Sequence, residues 1–129
     1  MAYKGVMTDV RRCIDLEVPE RLPVFLCSEE FDVRMCGTTY EKFCSDAEEM
    51  ARVAIESVGR FDYDWAWLQV DDCVEFEPLG VGVRGEGNIL RATTDYLPVS
   101  AESVEQLEQH GYREAGRMPA FLEALRRVK

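Results

Sequence analysis

The run Trp65-Ala66-Trp67-Leu68-Gln69-Val70 passes directly into Asp71-Asp72. An apolar run of this length, ended by charge, reads as a strand buried on both faces. Such strands belong to parallel sheets covered by helices. Folds built this way place ligands and chemistry at the carboxyl ends of their strands. Asp71 is therefore the first catalytic candidate, with Asp72 beside it. The competing reading gives both carboxylates a capping role in the turn that follows.

The flanking sequence supplies partners for this strand. Leu22-Pro23-Val24-Phe25-Leu26-Cys27 reads as an earlier buried strand, with Pro23 near its start, where a missing N–H is tolerated. Ser28-Glu29-Glu30 closes it at the equivalent carboxyl edge. Phe31 to Cys36 reads as a helical turn stopped by Gly37. Thr38, with Glu41 three residues on, fits a capping box for a short helix through Phe43. Ser45 and Asp46 each have a glutamate three residues later, a start signal for a longer helix. Met50, Val53, Ala54 and Val58 give that helix an apolar stripe, and Gly59 is expected to end it. Strand, helix and strand in this order form a βαβ unit with a right-handed crossover.

Outside this unit, Thr8 is expected to cap a first helix running to about Leu16. Val81 to Arg84 and Ile89 to Thr94 flank Gly85-Glu86-Gly87-Asn88 and read as a β-hairpin. The GxGxxG spacing is absent, so the hairpin reads as an excursion from the main fold rather than a phosphate loop. Ser100 is expected to cap a helix over 101–109, with Val104 and Leu107 inward. His110, the only histidine, stands at that helix's carboxyl end beside Gly111. Pro119 suits the first turn of a final helix to about Val128, with Phe121, Leu122 and Leu125 as its apolar face.

Composition narrows the class of function. At 129 residues the chain is about one domain, and 47% hydrophobic content lets it bury a core. Its net charge of −10 argues against nucleic acid and anionic membranes as partners. No apolar run approaches the roughly 20 residues of a membrane span. The first residues lack the apolar core of a signal peptide, so a cytoplasmic location is expected. The five cysteines are odd in number and form no CxxC pair, which favours reduced thiols. A metal gathered by Cys27, Cys36 and Cys44 is the weaker alternative, because ligands usually pair at closer spacing.

The order of motifs resembles the N-terminal part of the uroporphyrinogen decarboxylase superfamily. It is most similar to the branch of corrinoid-dependent methyltransferases that includes methylcobamide:coenzyme M methyltransferases. The matching pieces are Pro19-Glu20-Arg21-Leu22-Pro23-Val24, then Asp62-Tyr63-Asp64, then Asp71 with Val74-Glu75-Phe76-Glu77-Pro78-Leu79-Gly80. Ala115-Gly116-Arg117-Met118-Pro119, leading into Leu122-Glu123-Ala124-Leu125, completes the set.

The resemblance implies an α/β fold: the N-terminal portion of a TIM (β/α)8 barrel, with two parallel barrel strands, flanking helices and the hairpin. Such a barrel takes roughly 200 residues or more. Residues 1–129 are thus expected to be a fragment of the barrel domain, inactive alone and prone to self-association through an open sheet edge. Asp71 matches the family's active-site aspartate, which stabilises developing positive charge on a tetrapyrrole. On this reading Asp71→Asn acts on rate far more than on stability. Glu75, Ser28, Glu29 and Asp72 are the candidate substrate contacts.

The decarboxylases carry an arginine-rich segment after the first strand, where this chain has Ser28-Glu29-Glu30. That departure favours the methyltransferase branch, with a corrinoid protein or tetrapyrrole-type ligand as partner. Zinc ligands of that branch lie in the barrel's second half, and no cofactor is assigned within this chain. Tetrapyrrole decarboxylation is the alternative reaction. A non-catalytic fragment or binding module is the third reading.

Overall fold

The computed structural model describes residues 3–27, 29–107 and 111–129, with Glu29 and Leu107 described by backbone alone. In chain order α1 (Val6–Ile14), α2 (Glu29–Met35), α3 (Tyr40–Ser45) and α4 (Ala47–Phe61) precede a hairpin of β1 (Val83–Arg84) and β2 (Ala92–Thr93). Helices α5 (Ala101–Leu107) and α6 (Met118–Val128) follow.

Helix α4 organises the packing. Asp46 caps it, one carboxylate oxygen accepting from the amides of Glu48 at 2.9 Å and Glu49 at 3.2 Å. Its Met50, Val53 and Ala54 are buried as the stripe predicts. The helix runs past Gly59 to Phe61, because Asp62 takes the left-handed conformation (φ 56°) that ends it. Aspartate tolerates that region better than most residues. Helix α6 packs along α4 and contributes Ala124 to a core of Val33, Tyr40, Phe43, Cys44, Met50, Val53, Val70 and Val74. Burial of one large apolar side chain contributes about 1.5–3 kcal/mol.

The two expected barrel strands are not formed. Among the described residues the one sheet is the hairpin, antiparallel, with Val83 opposite Thr93 and Arg84 opposite Ala92. Segments 22–27 and 63–70 instead lie side by side without a ladder, with a bend at Asp64 and Trp65. The Val24 amide donates to the Asp64 carboxylate at 2.7 Å, and the Asp64 amide donates to the Val24 carbonyl at 2.8 Å. Contacts advance in the same sense along both segments, from Arg21 and Asp64 to Phe25 stacked on Trp65 and Trp67.

Nor is either segment buried on both faces. Leu68 and Val70 face the helices. Leu22, Phe25 and Trp67 stay 71%, 44% and 45% exposed. A face is buried only when a layer covers it, and here the helices cover one side. A side-chain carboxylate, moreover, takes the Val24 amide that a ladder would use.

Smaller expectations shift as well. Helix α1 begins at Val6 after Gly5, so Thr8 lies inside it. Thr39, not Thr38, caps α3, its hydroxyl accepting from the Lys42 amide at 3.3 Å. Ser100 caps α5 through the Ser103 amide at 3.2 Å, but Val104 points outward at 60% exposure. Pro119 lies in the first turn of α6 as expected. Met118 and Ala124, rather than the half-exposed Leu125, are the buried residues of that helix. His110 lies outside the described residues.

The hairpin does more than project. Its tip docks on the start of α3, where the Glu41 amide donates to the Gly87 carbonyl at 2.7 Å. The Tyr40 amide donates to the Asn88 side chain at 3.0 Å, and Glu41 returns a carboxylate to the Gly87 amide at 2.8 Å. In α1 Asp9, 2% exposed, accepts from the amides of Glu20 at 2.9 Å and Arg21 at 3.2 Å.

Asp64 joins the two extended segments, binding Arg21 at 3.2 Å as well as the Val24 amide. Asp64→Ala leaves the Val24 amide unpaired and Arg21 with Asp62 alone, and is expected to lower stability by about 1–3 kcal/mol. Urea unfolding followed by far-UV circular dichroism measures the loss.

Candidate functional site

The end of segment 63–70 is pinned from the helical side. The Val70 carbonyl accepts from the Tyr40 hydroxyl at 2.6 Å and from the Cys44 thiol at 3.4 Å. The next residue, Asp71, is thereby carried into the interior, 4% exposed. One of its oxygens accepts from the Cys73 amide at 2.8 Å, so Asp71 caps the turn that follows. The same oxygen accepts from Arg117 at 3.0 Å, and the other accepts from Arg117 at 2.5 Å.

Arg117, just ahead of α6, binds three groups. Its Nε donates to Glu77 at 2.8 Å and its own backbone amide donates to the second Glu77 oxygen at 3.1 Å. Its guanidinium also reaches the Cys44 carbonyl at 3.3 Å. Gly116 makes the approach possible. It has φ +57°, and a Cβ there would lie 2.8 Å from the Glu77 Cβ. Glycine alone avoids both the strain and the clash.

Charge in this cluster is settled by pairing. Burial pushes the Asp71 carboxyl up, but the hydrogen bonds and charge of Arg117, with the Cys73 amide, outweigh it. The net result holds the carboxyl below its ordinary range. Burial also works against the Arg117 charge, and Asp71 and Glu77 together raise its pKa instead. The Cys44 thiol is pushed up to about 12 by burial and by the Asp71 charge, so it stays protonated at neutral pH.

Beside the cluster lies a cleft of about 530 Å³. Leu68, Val74, Phe76 and Phe121 form its apolar wall; Gln69, Asp71, Asp72 and Glu75 form its polar side. Asp72 and Glu75 are exposed, and Asp72 accepts from the Gln69 amide group at 2.8 Å. Asp71, Asp72 and Glu75 are thus brought to one place. Ser28 lies outside the described residues, and Glu29 is placed only as the first residue of α2.

Arg117 is the residue that sequence reasoning misses. The available signal was indirect: a carboxylate at the end of a buried run needs a cation. Several arginines could have supplied one. Among the described residues no three histidine, cysteine or acidic side chains gather as metal ligands, Cys27, Cys36 and Cys44 included.

The sequence model of the uroporphyrinogen decarboxylase (URO-D) family matches residues 7–129. The chain belongs to this family. No curated protein and no solved structure matches it. Membership in the uroporphyrinogen decarboxylase family implies a TIM-barrel-like fold; the described residues form helices beside two extended segments and a hairpin. No helix among them is long and apolar enough to cross a membrane.

The Asp71–Arg117 pair adds a stability cost that the sequence reading of Asp71→Asn leaves out. Breaking a buried pair from one side costs about 3–5 kcal/mol. Asp71→Asn and Arg117→Met are each expected to lose that much, and the double variant less than the sum. Chemical unfolding of the three variants measures the coupling.

Acid should unfold the protein for a related reason. Hydrogen bonds from Arg52, then from Thr38, hold the Glu49 carboxyl down at about 2 despite burial. A carboxylate with a depressed folded pKa stabilises above its unfolded pKa, and that stability is lost as pH falls through the folded value. Glu49 therefore acts from about pH 4.5 down to about 2, and Asp71 in the same direction. Glu49→Gln should flatten the pH dependence of the thermal midpoint over that window.

Proposed function

We propose that this chain is a methyltransferase of the uroporphyrinogen decarboxylase family and acts with a corrinoid. We further propose that residues 1–129 form the N-terminal part of a (β/α)8 barrel. Methyl passes between a cobamide and a thiol or similar acceptor, in the cytoplasm.

The observation that carries this reading is the charge of the cleft. Among the described residues its polar lining is Gln69, Asp71, Asp72 and Glu75, with no cation. The nearby arginines are committed, Arg117 to Asp71 and Glu77 and Arg21 to Asp64. A polycarboxylated tetrapyrrole would meet like charge here, and such juxtapositions cost several kcal/mol. Decarboxylation of such a substrate is therefore the second reading.

Asp71, held by Arg117, is the proposed catalytic residue; in the decarboxylase reading its carboxylate would face positive charge developing on the tetrapyrrole. A preorganised carboxylate in a site of low dielectric is effective there because it need not reorient. Asp72 and Glu75, with Ser28 and Glu29 at the end of the first segment, contact the substrate. A bound corrinoid would supply the methyl group. Zinc has no ligand set among the described residues.

The test uses the protein from the complete reading frame that encodes this chain, with methylcobalamin and a thiol. Methylated thiol is expected, with Asp71→Asn much slower; residues 1–129 alone should give none. Carbon dioxide release from uroporphyrinogen, with no methyl transfer, would select the second reading.

A further inference from the structure

Arg117 stands behind Asp71 as seen from the cleft. Asp71 lines that cleft and Arg117 does not, while the guanidinium holds both Asp71 oxygens, at 2.5 Å and 3.0 Å. The cap to the Cys73 amide uses one of those oxygens. In a turn of this kind asparagine serves as well as aspartate, so the cap needs no charge. A buried ion pair, for its part, is often no more stable than apolar side chains of similar volume. Neither capping nor stability therefore accounts for an arginine that spans both oxygens.

The arginine is itself immobilised. Its Nε and its backbone amide both donate to Glu77, at 2.8 Å and 3.1 Å, and Nη1 reaches the Cys44 carbonyl at 3.3 Å. The backbone just ahead of Asp71 is held separately, by the Tyr40 hydroxyl and the Cys44 thiol on the Val70 carbonyl. A single donor would leave the carboxylate free to rotate; a planar fork on both oxygens fixes its plane. Among the described residues, the ionisable groups packed around Asp71 are Tyr40 and Cys44 of α3, Asp72, Cys73 and Glu77 of the turn, and Arg117. Of these only Arg117 is a cation. Burial pushes the Asp71 carboxyl up and Arg117 outweighs it, so without the arginine the carboxyl would rise.

We propose that Arg117 is a positioning residue for Asp71: its two-pronged grip fixes the plane in which the carboxylate meets the substrate. So held, Asp71 accepts hydrogen bonds and does not supply a proton. The inference deepens the proposed function and rests on Asp71 being its catalytic residue, whichever of the two reactions is run.

The test uses the protein from the complete reading frame, with methylcobalamin and a thiol, and follows kcat and KM against pH. Arg117→Lys keeps the charge but has one nitrogen, so it cannot span both Asp71 oxygens and Glu77. Its kcat is expected to fall at least about tenfold with KM within about threefold, since misplacing a catalytic group costs rate more than binding. The acid limb of its rate profile should stay near the parent's. Arg117→Met loses the charge too, and its acid limb should move to higher pH. Asp64→Ala, which destabilises the fold at a residue that does not line the cleft, should keep both the rate and the limb. Circular dichroism checks that the variants fold; if Arg117→Met does not, Arg117→Lys against Asp64→Ala still decides. Full rate in Arg117→Lys would overturn the proposal, since charge alone would then suffice. So would equal losses in Arg117→Lys and Asp64→Ala, the mark of a structural role, or an acid limb that a folded Arg117→Met leaves in place. A parent that instead releases carbon dioxide from uroporphyrinogen would sink the methyl-transfer reading alone, and the same variants are then compared in that assay. A parent inactive in both assays would overturn the positioning role as well.

Discussion

One guanidinium holds this molecule's polar interior together. Arg117 is paired with two carboxylates that arrive by different routes, Asp71 from the end of an extended segment and Glu77 from a 3-10 turn. Neither acid could sit so deep without it, since an unpaired buried charge is strongly unfavourable. Arg117 needs both acids in turn, as burial alone would disfavour its charge. Because Arg117 immediately precedes α6, the pairing also fixes where that helix lies against α4. The apolar core and the acidic cleft thus share one structural pin.

Local chemistry in the sequence was legible where residues act on near neighbours. The Asp46 cap, the stripe of Met50, Val53 and Ala54, the hairpin around Gly85 to Asn88 and Pro119 at the head of α6 all follow from such rules. Errors arose where the outcome depends on residues far away in sequence. Phe25 and Trp67 are apolar and read as buried, yet their exposure depends on which layers lie over them. Asp64 reads in the sequence only as part of Asp62-Tyr63-Asp64, though its carboxylate occupies the amide that would have begun a ladder. Thr38 and Thr39 differ by one position, and only backbone geometry separates them (Thr39 has the extended conformation of a cap).

The candidate site divides the same way. Asp71 and Asp72 stand out by their place at the end of an apolar run and Glu75 by the family resemblance, and the fold gathers them beside one cleft. Of the sequence readings of Asp71, the cap is what the structure displays, through the Cys73 amide; the residue also borders the cleft. Its commitment to Arg117 was invisible because the partner lies 46 residues away. That commitment leaves Asp72 and Glu75 as the exposed acids of the lining. Family membership agrees with the motif order along nearly the whole chain. The paired state of the arginines gives a physical reason for reading the cleft as hostile to polycarboxylates.

The contact between hairpin tip and α3 bears on the order of assembly. Six residues are too few for a helix to persist by itself in water. The amides of Tyr40 and Glu41 find their partners at Asn88 and Gly87, 48 and 46 residues downstream. Tyr40 is also the residue whose hydroxyl pins Val70, just ahead of the buried acid. A short turn far along the chain therefore completes an early helix, and nascent chain that has not yet reached Gly87 lacks the groups to finish it.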